Sequence, residues 1–205
     1  MNETHINAIR DEIQGSIAVK QALLEDGELL AQLSAVVDVC AAAYRRGNKL
    51  LLAGNGGSAA DAQHLAAEFV NRYAFGRPGL PAIALTTDSS TLTSISNDYA
   101  YEDIFSKQVR ALGKSGDVLL GISTSGNSEN VIRAIDAAHE RGMKVVALSG
   151  RDGGRMAELF EEGDVEALGD TADMRERRDA HIVDNGQTAV IGGSILDRGP
   201  SDPLH

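Results

Sequence analysis

Two short loops and one pair of side chains hold the residues of this sequence best suited to chemistry. Gly54-Asn55-Gly56-Gly57-Ser58 follows an apolar run at 50–53. Three glycines let backbone N–H groups approach a ligand closely, and a helix starting there adds the positive end of its dipole. Ser58, with Asp61 three residues later, has the form of a capping box that opens this helix. Ser123-Thr124-Ser125-Gly126-Asn127-Ser128 follows a second apolar run. Its hydroxyls beside a helix start form a neutral cradle able to satisfy the several acceptor oxygens of a phosphate. His64 and Glu68 stand four apart on the helix after the glycine loop, so they share one face. An imidazole and a carboxylate placed so can bind zinc or move protons, although on these residues alone a surface pair is the simpler reading.

The glycine loop lacks the Gly-Lys-Ser/Thr of a nucleoside triphosphate site, because Gly57 is followed directly by Ser58. Gly54, Gly56 and Ala59 fit a dinucleotide fingerprint loosely, but the next strand brings no acidic residue about 20 positions on. A formal net charge of -11 disfavours a nucleic-acid backbone as partner, while leaving room for a small phosphate ester bound by local amides. The lone cysteine, Cys40, has no partner for a disulfide or a cysteine metal motif and reads as a small buried residue.

The elements that must carry these loops follow from the spacing of apolar residues. Ile6, Ile9, Ile13 and Ile17 recur every three or four positions, on one face of a first helix. Leu29, Leu33, Val36, Val37, Cys40 and Tyr44 form the stripe of a second, with Gly47 placed to end it. Beyond Gly47, strand-length runs at 50–53, 82–86, 118–123 and 145–149 alternate with helical stretches at 58–73, 90–96, 101–112 and 130–141. This alternation predicts a parallel α/β sheet in one domain, within a chain of 205 residues and ordinary composition. The apolar runs are shorter than a membrane span, and the first 14 residues mix Glu3, Asp11 and Glu12 with spaced isoleucines, unlike a signal peptide. A cytoplasmic protein without a membrane partner is expected.

At its loops the chain resembles the SIS (sugar isomerase) family, and specifically the branch that acts on heptose phosphates. The resemblance runs from the N-terminal helices to about Glu166. It rests on the glycine loop, the helix with His64, Glu68 and Arg72, then Arg77-Pro78-Gly79, Asn97-Asp98, Gly116-Asp117-Val118-Leu119-Leu120 and the serine loop. It implies a three-layer, doubly wound parallel sheet with two N-terminal helices in front, and interconversion of sedoheptulose 7-phosphate and D-glycero-D-manno-heptose 7-phosphate through an enediol. In bacteria this reaction feeds heptose and lipopolysaccharide precursor synthesis. The substrate would be held by Asn55, Gly56, Gly57, Ser58, Glu68, Arg72, Asn97, Asp98, Ser123, Thr124, Ser125 and Ser128. His64 and Glu68 would be zinc ligands as well as catalytic groups, and the chain would assemble as a homotetramer through its leading helices.

After Asp164-Val165-Glu166 the chain departs from the family. Family members continue with a strand and then a helix that supplies a glutamine and a histidine to the zinc; here Arg178 and Gly186 take those places, and His181 stands in a different context. Residues 1–166 are thus expected to form the domain and 167–205 a divergent, weakly ordered tail, with an incomplete metal site and impaired turnover. A non-catalytic SIS-fold binding protein, such as a replication-initiator-associating factor, is the alternative.

Overall fold

In a computed structural model, the structure describes residues 3–150, 153–160 and 164–168. Two long helices lead, α1 (Glu3–Glu25) and α2 (Gly27–Arg45). They are separated at Asp26, whose carboxylate accepts a hydrogen bond from the Leu29 N–H at 2.9 Å and caps α2. Strand β1 (Leu50–Gly54) is followed by α3 (Gly57–Val70), then β2 (Ala82–Ala84), α4 (Ser89–Asp98) and α5 (Ile104–Leu112). Strand β3 (Val118–Ser123), α6 (Glu129–Glu140), β4 (Lys144–Ser149) and β5 (Val165–Leu168) complete the order. All strand pairs are parallel, in the order β2-β1-β3-β4-β5.

Alternate residues of β1, β3 and β4 feed two cores. Leu50 and Leu52 of β1, with Val118, Leu120 and Ile122 of β3, face a layer made by α2 and α3. Leu51, Ala53, Leu119, Val145 and Ala147 face the layer of α5 and α6. A strand buried on both faces needs no polar alternation, which is why these segments read as continuous apolar runs. The three-layer doubly wound α/β sheet expected from the sequence is the fold observed. Asp164 docks the edge strand: Oδ1 accepts from the Val145 N–H at 2.9 Å and Oδ2 lies 2.7 Å from His139 Nε2.

Several boundaries differ from expectation, each for a local reason. Helix α3 stops at Val70 rather than 73, because the Arg77 guanidinium reaches back to the carbonyls of Glu68 and Phe69 at 2.8 and 2.9 Å and caps its end. Asp88, not Ser90, starts α4, accepting from the Thr91 N–H and hydroxyl at 3.1 and 2.7 Å. The stretch at 101–112 opens with a 3-10 turn, Tyr101–Asp103, before α5 begins. Strand β5 extends two residues past Glu166, so the expected boundary at 166 falls inside a strand. The remainder of the expected tail, including Arg178, His181 and Gly186, lies outside the described residues.

Cys40 is buried as expected, and desolvation pushes its thiol up to about 12. Helix α2 is long and apolar enough by composition to cross a membrane. In this fold it turns Leu29, Val36, Cys40 and Ala43 against the sheet. Helix α1 buries no residue: Ile9, Ile13 and Ile17 are 60%, 56% and 49% exposed, so its apolar stripe faces outward.

Candidate functional site

Strands β1 and β3 are neighbours, but the chain leaves them in opposite directions. From β1 it passes through α3 on one face to β2; from β3 it passes through α6 on the other face to β4. Such a switch point opens a crevice at the carboxyl ends of the two strands, where ligands bind in open α/β sheets. The glycine loop and the serine loop are the two segments that emerge there.

The glycine loop works by removing side chains from a tight corner. A Cβ at Gly54 would lie 2.7 Å from the Ser58 carbonyl oxygen, and Gly56 adopts φ 55 as the cap of α3. The expected capping box does not form. Helix α3 starts at Gly57, which places Ser58 and Asp61 inside the helix, both buried. Burial pushes the Asp61 carboxyl up from its ordinary value, with nearby His64 pulling it partly back.

Asn55 ties the glycine loop to the first turn of α6, the helix that follows the serine loop. Its Nδ2 donates to Asn130 Oδ1 at 2.8 Å, and Asn130 Nδ2 donates back to Asn55 Oδ1 at 2.9 Å. The Tyr101 hydroxyl donates to the same Asn55 oxygen at 3.0 Å. The Asn55 side chain is therefore engaged in bridging the crevice. Asn130 and Tyr101 were not singled out from the sequence. The signal was the position of Asn130 at the first turn of the helix after the serine loop, where an amide can reach back across the strand ends.

In the serine loop, the hydroxyls of Ser123 and Ser128 lie 2.9 Å apart. Ser125 Oγ accepts from the Asn127 N–H at 3.2 Å, and Asn127 Nδ2 donates to the Ser125 carbonyl at 2.7 Å. Ser123 is buried, Ser125 and Ser128 half-buried and Thr124 exposed, so the cradle spans the boundary between sheet and solvent. Glu129, at the start of α6, is held below the usual carboxylate range by hydrogen bonds from Arg155 and Arg133.

The remaining candidates lie outside this corner. His64 and Glu68 share a face of α3, with Nε2 and Oε1 3.9 Å apart and side chains 50% and 27% exposed. At 1.5 Å per residue they stand about 10 and 16 Å along the helix from its start beside the glycine loop. Arg72 is exposed and sits beyond the end of α3, not on it. Asn97 and Asp98 are exposed at the end of α4, where Asn97 Nδ2 donates to Asp98 Oδ1 at 2.9 Å.

His64 and Glu68 are donors of a kind zinc accepts, and they can fill two positions around one ion. Structural zinc sites use four protein ligands and catalytic ones usually three plus water. Among the described residues no group of three or more His, Cys, Asp or Glu comes together. Within those residues, His64 and Glu68 would supply two of the positions a zinc ion needs.

Comparison with known proteins identifies the family. The SIS domain family matches residues 17–150. A phosphoheptose isomerase of Aneurinibacillus thermoaerophilus is 56% identical over 151 residues, 74% of this chain and 76% of the relative. One from Burkholderia pseudomallei is 50% identical over 183 residues, 89% of this chain and 91% of the relative. Among solved structures, the phosphoheptose isomerase of Francisella tularensis superposes with a TM-score of 0.82 at 33% identity, covering 94% of this chain and 96% of that one. That of Neisseria gonorrhoeae gives 0.75 at 42% identity, covering 93% and 91%. With the glycine and serine loops at the switch point and the family's matched residues spanning both, the chain belongs to the SIS domain family and, within it, to the phosphoheptose isomerases.

Proposed function

We propose that this chain interconverts sedoheptulose 7-phosphate and D-glycero-D-manno-heptose 7-phosphate, an aldose-ketose isomerisation. The observation that carries the reading is the serine loop joined to the glycine loop across the switch point by Asn55 and Asn130. Its donors are hydroxyls and amides, which suit a phosphate ester and need no lysine.

The chemistry removes a proton from the carbon beside the carbonyl and returns it to the neighbouring carbon. Glu68 is the base: its carboxylate takes the carbon-bound proton, leaving an enediol, and hands it to the adjacent carbon. His64, one turn before it, polarises the substrate oxygens. Asn97 and Asp98 are read as contacts to the sugar hydroxyls, and Arg72 as a further polar contact. A zinc ion attached to His64 and Glu68 belongs to the same proposal; when bound, it would polarise the substrate oxygens.

Assembly into a homotetramer belongs to the same reading, and the exposed stripe of α1 supports it. Isoleucines spaced along a helix that buries none of them are too extensive an apolar face to remain in water. A cytoplasmic place in heptose and lipopolysaccharide precursor synthesis completes the reading.

The test is an isomerase assay on sedoheptulose 7-phosphate with wild type and Glu68→Gln. Turnover by wild type and a loss of at least about 100-fold in the variant are expected. Binding of the sugar phosphate without turnover by wild type would instead select the non-catalytic SIS-fold alternative.

A further inference from the structure

The segment that follows β4 lies directly against the serine loop. The Met156 N–H donates to the Gly126 carbonyl at 3.0 Å, and the Arg155 N–H donates to Asn127 Oδ1 at 3.1 Å. Neither strand-end segment leaves room for a side chain between them. A Cβ at Gly126 (φ 64) would lie 1.8 Å from the Gly153 carbonyl oxygen. One at Gly154 (φ 54) would lie 2.6 Å from the Ser125 carbonyl oxygen and 2.7 Å from Asn127 Nδ2. One at Gly150 would lie 2.7 Å from the Thr124 carbonyl oxygen.

The far end of this segment is anchored: Met156 is fully buried in the core beneath α6. Asn127 ties the serine loop to that anchor. Its side chain accepts from the Arg155 main chain and donates to the Ser125 carbonyl, while its own N–H donates to Ser125 Oγ. With its oxygen already accepting from Asn127, Ser125 keeps its hydroxyl proton to offer a ligand. The loop would otherwise pay conformational entropy on binding a phosphate.

We propose that Asn127 is a positioning residue, latching the serine loop onto the Gly153–Met156 backbone in the conformation that receives phosphate. The inference rests on the reading of that loop as the phosphate cradle. Asn127 itself is exposed and need not touch the substrate.

The experiment compares wild type, Asn127→Ala, Gly154→Ala, Arg155→Ala and Ser125→Ala. It reads calorimetric affinity for inorganic phosphate, KM and kcat for sedoheptulose 7-phosphate, and Tm. Asn127→Ala should weaken phosphate binding and raise KM by about tenfold, with kcat within about twofold and Tm unchanged. Gly154→Ala should weaken phosphate binding and raise KM further still, and it should also lower Tm, because its Cβ would meet the Ser125 carbonyl oxygen. Arg155→Ala keeps the main-chain N–H that the latch uses, so its affinity should stay within about twofold of wild type. If Asn127→Ala binds phosphate as wild type does while Ser125→Ala does not, the cradle stands and the latch is wrong. If neither variant changes affinity, the cradle reading fails and the latch with it. Equal losses in Arg155→Ala and Asn127→Ala would assign the effect to the guanidinium charge and overturn the latch.

Discussion

Asn55 and Asn130, 75 residues apart in sequence, exchange two amide hydrogen bonds of 2.8 and 2.9 Å and so tie the ends of β1 and β3 together. The pair closes both amides on each other with geometry that neither water nor a single hydroxyl reproduces, and Tyr101 occupies the remaining acceptor position on Asn55. The pair thus spans the crevice between the two strand ends.

Asn130→Ala should therefore cost stability and binding together. It leaves the Asn55 amide without its partner in a half-buried site, at about 1–3 kcal/mol. Urea denaturation should show that loss, and KM for the sugar phosphate should rise more than kcat falls. A stable variant with unchanged KM would mean that the amide pair does not set the crevice.

Asp117 should act as a clamp at the opposite end of the same two strands. It accepts from the Lys49 N–H at 3.0 Å, from Asn48 Nδ2 at 3.1 Å, from the Lys114 N–H at 2.9 Å and from the Lys49 ammonium. Burial pushes its carboxyl up, but the hydrogen bonds from Lys49, Asn48 and Lys114 outweigh that and hold it below its ordinary value of 3.8. A lowered folded value means that the unfolded chain binds the proton more tightly. The stabilisation is thus fully present above the ordinary value and is lost as pH falls through the folded one. Asp117→Ala should cost about 3–5 kcal/mol at pH 7, and the gap to wild type should narrow on acidification. A pH-independent gap would refute the linkage.

Helix α1 offers the clearest test of assembly. Ile9→Glu with Ile13→Glu places two charges on the exposed stripe without touching any buried residue. Light scattering at micromolar concentration should show a multiple of the chain mass for wild type and a smaller species for the double variant. A wild-type monomer would refute assembly through this face.

Zinc should be held weakly. Among the described residues His64 and Glu68 provide two donors; with solvent completing the coordination shell, a competing chelator should strip the ion. Less than one zinc per chain is expected after dialysis against a chelator, with none of the residue surviving in His64→Ala. One tightly held zinc per chain would show that other groups complete the site.

Sequence alone determined the architecture, because strands buried on both faces leave uninterrupted apolar runs, and the switch between those runs and helical spacing marks each βα unit. It also located the two loops, since glycines and hydroxyls at the end of a strand announce themselves locally. It mistook Ser58 and Asp61 for a capping box, because the residue pattern does not reveal that Gly56, with its positive φ, caps the helix two residues earlier. What only the tertiary structure decided are relationships between distant segments. The order β2-β1-β3 makes β1 and β3 neighbours, so Asn55 meets Asn130, and β4 beside β3 lays Gly154 and Arg155 on Asn127. Hydrogen bonds of that kind depend on which strands pair and on which face each helix crosses. Those choices are made by burial of the whole sheet, and no local spacing encodes them.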